Sequence, residues 1–235
     1  RGSSAVGATP PQGAAAALWR IIIAASTTME SPFTFSVLEN DTHPEPYWLT
    51  REYFGSFSPI HRQHHARLVL SDLLEGTATI GILPMPSAES ERDWWQMLTD
   101  NLTAPVQVFA CLPFVFTPHE RFRMPPALAL AKIRPEPTGN DRTLVVLKTP
   151  EGISQHRLSE FFTQQRVSAE WLHITPPDTE KRLHLLTIKD FVNAESPLIN
   201  AHLTDDTLSG TEATILGSYA EPIQLQPERV THDSD

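Results

Sequence analysis

From Arg142 onward the hydrophobic period of the chain alternates between two and about 3.6 residues, and the order of those changes restricts the fold more than anything else in the sequence. "TLVVLKT" (143–149) has strand character, and "SQHRLSEFFTQQ" (154–165) carries apolar residues at helical spacing. "AEWLHIT" (169–175) and "RLHLLTIKDF" (182–191) are strands joined by the turn "PPDTEK", and "PLINAHL" (197–203) is a helix before the strand "EATILGSY" (212–219). Strand–helix–strand–strand–helix–strand is the order of a split βαβ unit, a ferredoxin-like antiparallel sheet with both helices on one face.

The stretch before it is of another kind. Residues 1–13, "RGSSAVGATPPQG", have no periodicity and read as a linker. Leu18, Ile22, Ala25 and Met29 then mark a helix over 14–31, stopped by Pro32. Residues 33–39 form a strand and 40–46 a loop. A helix over 47–54 is closed by Gly55, and another over 66–75 by Gly76. "ATIGILPMP" reads as a buried strand, "DWWQMLTDNL" (93–102) as a helix, and "VQVFACLPFVF" (106–116) and "ALALAKI" (127–133) as strands. The polar, unpatterned residues from Pro222 to Asp235 read as a disordered tail.

Composition narrows the partners. At 235 residues the chain can bury a substantial core. A formal charge of −10 argues against nucleic acid and anionic membrane surfaces, which both require a basic face. Cys111, the single cysteine, rules out an internal disulfide and a multi-thiolate metal site, and suits a reducing cytoplasm. No apolar run reaches the roughly 20 residues of a membrane span, and Arg20 interrupts the apolar stretch "ALWRIIIAAS". The chain starts at Arg1 rather than Met and reads as a piece of a longer protein.

Three stretches, in order, resemble the bifunctional chorismate mutase/prephenate dehydratase family of phenylalanine biosynthesis. Leu147-Lys148-Thr149-Pro150-Glu151-Gly152-Ile153-Ser154 is similar to the first strand and turn of that family's regulatory ACT domain, and Leu216-Gly217-Ser218-Tyr219 to the end of its last strand. His173-Ile174-Thr175-Pro176 occupies the place of its Glu-Ser-Arg-Pro turn. "REYFGSFSPI", "LSDLLEGTATIGILPMP" and "APVQVFACLPFVF" resemble the start of the two-lobed, periplasmic-binding-protein-like dehydratase domain. The N-terminal helix resembles the third helix of chorismate mutase. The resemblance covers residues 14–223. It implies an α/β chain of the α+β kind: a mutase-like helix at 14–31, a truncated dehydratase-like domain at 33–140, an ACT-like domain at 142–223, and a tail at 224–235.

The same resemblance implies where chemistry would sit. Ser26 and Glu30 take the positions of mutase residues that contact substrate, and their spacing of four places them on one helix face. Residues 1–30 contribute only Arg1 and Arg20, too few cations to clamp a dianion. On the dehydratase side the Gly-rich loop is replaced by Asn40-Asp41-Thr42-His43-Pro44 and the Glu-Asn-Ser by residues around Pro86-Ser87-Ala88. The Thr-Arg-Phe motif is absent, "NDRTLVV" reordering its residues, and only residues 117–141 remain for the second lobe. In the ACT-like unit Gly152 is retained, and Thr175 and His173 stand where acidic and Arg effector ligands belong.

Other clusters have plainer readings. "HRQHHAR" brings His61, His64 and His65 together without acidic or thiolate partners at ligand spacing, so it reads as a solvated helix start. Trp94 and Trp95 read as one ring packed inward and one half-exposed.

Two functional expectations follow. In one, the parent is a chorismate mutase, this chain its largely regulatory C-terminal part, and chorismate or prephenate its small anionic substrate. In the other, the chain is a non-catalytic ligand-binding or dimerisation module of the same folds. Both imply no cofactor, no metal, an amino-acid effector as candidate ligand, a homodimer, and no mutase or dehydratase activity in this chain alone.

Overall fold

The computed structural model describes residues 33–55, 58–87, 94–99, 106–116, 124–175, 181–196 and 208–225. The linker and helix expected over 1–31, with Ser26 and Glu30, lie outside the described residues. So do most of the 176–181 turn, the 197–203 helix and the chain after Leu225.

Strand β1, Phe35–Leu38, is buried along its whole length. Helix α1, Glu45–Phe54, has Pro46 in its first turn, where a missing N–H costs nothing, and ends at Gly55. Strand β2, Ile60–Gln63, pairs parallel to β1. Helix α2, Ala66–Glu75, ends at Gly76, whose φ of 77° is the left-handed conformation a side chain disfavours. The fully buried β3, Ile80–Pro84, lies parallel to β1 on its other side.

A short helix α3 (Gln96–Thr99) precedes β4 (Gln107–Leu112), β5 (Val115–Phe116) and β6 (Ala127–Ala131). The C-terminal elements are β7 (Asp141–Pro150), α4 (Gln155–Gln164), β8 (Ala169–Ile174), β9 (Lys181–Ile188), β10 (Glu212–Ala220) and β11 (Ile223–Gln224). Helix α4 starts where expected because the Ser154 hydroxyl accepts a hydrogen bond from the Arg157 backbone N–H.

Nine strands form one mixed sheet in the order β2-β1-β3-β6-β4-β10-β7-β9-β8. The run β10-β7-β9-β8 is antiparallel throughout, with α4 as a crossover, as the split βαβ pattern predicts. The fold is therefore mixed α/β, in agreement with the sequence reading.

The two halves of the sheet join at a single parallel bridge, Gly217 to Val108. Gly217 has φ 137°, and a Cβ placed there would overlap the Val108 carbonyl oxygen and lie 2.5 Å from its backbone nitrogen. Only glycine permits the approach. The register of β10 shifts between Ile215 and Gly217, a bulge that turns the strand toward β4.

One apolar layer runs beneath both halves on one face of the sheet. It combines Val69, Leu70 and Leu73 of α2 and the pair Trp94–Trp95 with Leu83, Leu128, Leu130, Val108, Leu144, Val146, Leu185 and Leu216. On the other face, α1 covers Phe35, Val37 and Ile82. There α4 covers Val145, Leu147, Leu186 and Ile188.

The structure departs from the sequence reading in four places. The His61–Arg62 stretch is an edge strand, not a helix start, with helix beginning only at Ala66. Trp94 and Trp95 are both buried, at 4% and 0% exposure, because the second closes the layer that spans the two half-sheets. The 106–116 strand is two strands, broken at Pro113, which has no N–H to donate. Ile223 and Gln224, placed at the start of a disordered tail, pair with Val115 and Phe116. No described helix is long and apolar enough to cross a membrane.

Candidate functional site

Strand β10 ends at Ala220, and the chain turns at Pro222 before Ile223–Gln224 pairs with β5. That turn folds over the end of the sheet where β7 begins, and the Glu221 backbone N–H donates to the Asn140 carbonyl at 2.8 Å. A cavity of about 610 Å³ opens there, within the size range of small-molecule sites. Its apolar wall includes Met85, Met124, Phe116 and Leu172, and its polar wall Arg142, Glu170, Thr187 and Glu221.

Arg142 reaches this position because its strand alternates. Residues 144 and 146 turn into the shared apolar layer, so residue 142 turns the same way at the layer's open end. There its guanidinium bridges two carboxylates. Nε and Nη2 donate to Glu221 Oε1 at 3.1 and 2.9 Å, and Nη1 donates to Glu170 Oε2 at 2.7 Å. Burial works against the charge on Arg142, but the hydrogen bonds to Glu170 and Glu221 outweigh it and hold the pKa above its ordinary value.

The remaining titratable groups of the wall are held neutral. Burial pushes the Cys111 thiol up to about 12, only partly offset by the charge of Arg142. A thiol so placed is not a nucleophile near neutral pH. Burial, then the neighbouring Cys111, also raises Tyr219 above the usual phenol range. Among the described residues the lining therefore presents one cation paired with two carboxylates, and two neutral acids.

The residues singled out by sequence lie elsewhere. Gly152 sits in the exposed turn between β7 and α4, and a Cβ there would meet nothing within 4 Å. Thr175 follows β8, where its hydroxyl accepts from the Leu183 N–H at 3.1 Å and its own N–H donates to the Leu183 carbonyl at 3.0 Å. The register of β7, β8 and β9 puts Gly152 and Thr175 at one end of the sheet, with β9 between their strands. Arg142 and the cavity are at the other end. His173, beside Thr175, packs its ring 6.0 Å from that of Trp95 and contacts the Ser87 carbonyl at 3.3 Å.

The histidine cluster is likewise structural in its contacts. His64 Nδ1 lies 3.1 Å from the Glu39 carbonyl, and Arg62 pairs with the Glu39 carboxylate while covering the Tyr47 ring at 4.7 Å. Among the described residues no group of three His, Cys, Asp or Glu is placed to hold a metal.

Sequence reading passed over Arg142, Glu170 and Glu221 as a set, because the partners stand 28 and 79 residues from Arg142. One local signal was present: a charged residue in phase with Leu144 and Val146 must either be solvated at the strand end or find a partner.

Neither a protein-family model nor a curated protein matches the chain. Solved structures do. The prephenate dehydratase from Streptococcus mutans is 14% identical, with 82% of this chain and 100% of that one covered and a TM-score of 0.54. The prephenate dehydratase from Arthrobacter aurescens in complex with L-Phe is 13% identical, covering 80% and 90% with a TM-score of 0.51. GqqA, described as a novel type of quorum quenching acylase, is 12% identical, covering 80% and 95% with a TM-score of 0.55. At such identities the likeness concerns the backbone, so the fold of this chain is similar to the fold of prephenate dehydratases.

Proposed function

We propose that this chain is a non-catalytic, regulatory part of a protein of aromatic amino-acid biosynthesis. In this reading residues 33–140 are a dehydratase-like domain reduced in its second lobe. Residues 142–223 are an ACT-like unit, and 14–31, with Ser26 and Glu30, are the third mutase helix of a longer parent that converts chorismate to prephenate. The fold supports the family setting but not the reaction, since one fold serves several activities.

The observation that carries the non-catalytic reading is the pairing of Arg142 with Glu170 and Glu221. A site for the dianion prephenate requires cations free to receive it, and Arg142, the one cation among the described residues that line this cavity, is paired with two carboxylates. An amino-acid effector is the better candidate ligand for the end of the sheet bearing Gly152 and Thr175. The Arthrobacter aurescens enzyme was solved with L-Phe bound.

Incubation of the purified chain with prephenate is expected to yield no phenylpyruvate, and formation of phenylpyruvate overturns the non-catalytic reading. The parent is tested separately by the loss of chorismate absorbance with the full-length protein. Absence of turnover there removes the mutase assignment.

A further inference from the structure

Ala220 is the last residue of β10 to pair with β7, and beyond it the chain is held in a different way. Ser218 and Tyr219 are buried, whereas none of residues 221–225 is, and Ile223 is 62% exposed. Burial of apolar surface therefore contributes little to keeping this segment in place. Its described tethers are polar. The Glu221, Ile223 and Leu225 N–H groups donate to the carbonyls of Asn140, Phe114 and Phe116 at 2.8, 2.9 and 2.9 Å. One oxygen of the Glu221 carboxylate accepts from Arg142, and Lys189 Nζ stands 3.8 Å from the other.

The same segment is one wall of the cavity. Glu221, Pro222 and Ile223 line it on one side, and Cys111, Leu172 and Thr187 line it from the sheet. A segment fastened by a few main-chain bonds and ion pairs opens at small local cost, while a strand of buried side chains opens only near the global free energy of unfolding. The two kinds of chain meet at Ala220.

We propose that residues 221–225 form a strap that opens and closes over the cavity while the nine-stranded sheet stays intact, and that Glu221 is its latch. Latched to Arg142 and Lys189, the strap covers the Cys111 wall; released, it leaves β5 and admits solvent and small solutes to that wall. The latch is partly exposed, with the Arg142 and Glu221 side chains at 24% and 25%, so water replaces the lost partners as it opens. Glu170 still holds Arg142 in the open state, so release strands no unpaired guanidinium. The device does not depend on the regulatory reading of the chain.

Amide hydrogen exchange of the intact chain reads the strap, and alkylation of Cys111 by iodoacetamide reads the wall beneath it, without interference because the chain has no other cysteine. Amides of 221–225 are expected to exchange about a hundredfold faster than those of 213–219, at a rate indifferent to urea below the unfolding transition. Glu221→Gln keeps the main-chain bonds and removes the charge. It is expected to speed strap exchange and Cys111 alkylation each about tenfold, the size of one charge-assisted hydrogen bond, with the 213–219 amides unchanged. Ser154→Ala, at the distant cap of α4, is expected to leave strap exchange and alkylation as they are. Four results overturn the proposal: strap and β10 amides that exchange together with one urea dependence, strap exchange unaffected by Glu221→Gln, a faster strap without faster alkylation, or an equal rise in Ser154→Ala, which would assign the exposure to global unfolding.

Discussion

Gly217 joins the two half-sheets, and the whole cost of that junction falls on one missing methyl group. Ala at this position would have to hold a φ of 137° and push the Val108 backbone away. Gly217→Ala is expected to lower stability by about 3 kcal/mol or more, read as a shift in the denaturant midpoint. A shift under about 1 kcal/mol would mean that the bridge relaxes freely. The sequence announces the glycine in Leu216-Gly217-Ser218-Tyr219 but not its reason, because β4 lies more than a hundred residues away.

His184 makes a second case at this scale. Burial, and after it the charge of Arg182, brings its pKa from 6.5 down to about 4, and Nε2 rests 3.1 Å from the Thr149 hydroxyl. The unfolded chain takes up a proton as pH falls through 6.5, while the folded chain waits until about 4. The native state is therefore favoured above that window and loses stability as pH drops through it. His184→Leu should show a smaller fall in melting temperature between pH 6.5 and 4.5 than the parent chain. Parallel curves would rule out this histidine as the source of the fall. Neither the burial nor the partner was readable from "RLHLLTI", where the histidine merely alternates with leucines.

Among the elements, legibility followed amphipathicity. Helices α2 and α4 each bury one face, and the long strands β7, β9 and β10 bury continuous apolar runs, so their type shows in the residues themselves. Strand β2 escaped because it is an edge with exposed His61 and Arg62, held by main-chain pairing to β1 rather than by apolar side chains. Strand β11 escaped for the same reason, both of its residues being exposed. The cap of α4 was legible and is testable: Ser154→Ala should cost about 1 kcal/mol in chemical denaturation. The site depended on contacts between elements, so beyond a charge in phase with Leu144 and Val146 its ion pairs had no local signature. A wild-type midpoint in Ser154→Ala would show that the Arg157 N–H finds another acceptor.

At the scale of the whole molecule, β8 ends the strand order and its outer edge has no partner strand among the described residues. An open edge of six residues invites pairing with a second copy, and a homodimer through it is expected. Sedimentation equilibrium should return twice the chain mass, and a strict monomer at tens of micromolar would exclude that arrangement.

The apolar layer that passes beneath both half-sheets has a further consequence, for how such a protein can be rebuilt. Leu144, Val146, Leu185 and Leu216 share their neighbours with Val69, Leu73 and Trp95. A recombination event that carried residues 141–225 into another gene would transplant a sheet with one oily surface bare. The C-terminal unit has thus given up the portability that compact modules enjoy, and inherits its fate jointly with the segment before it.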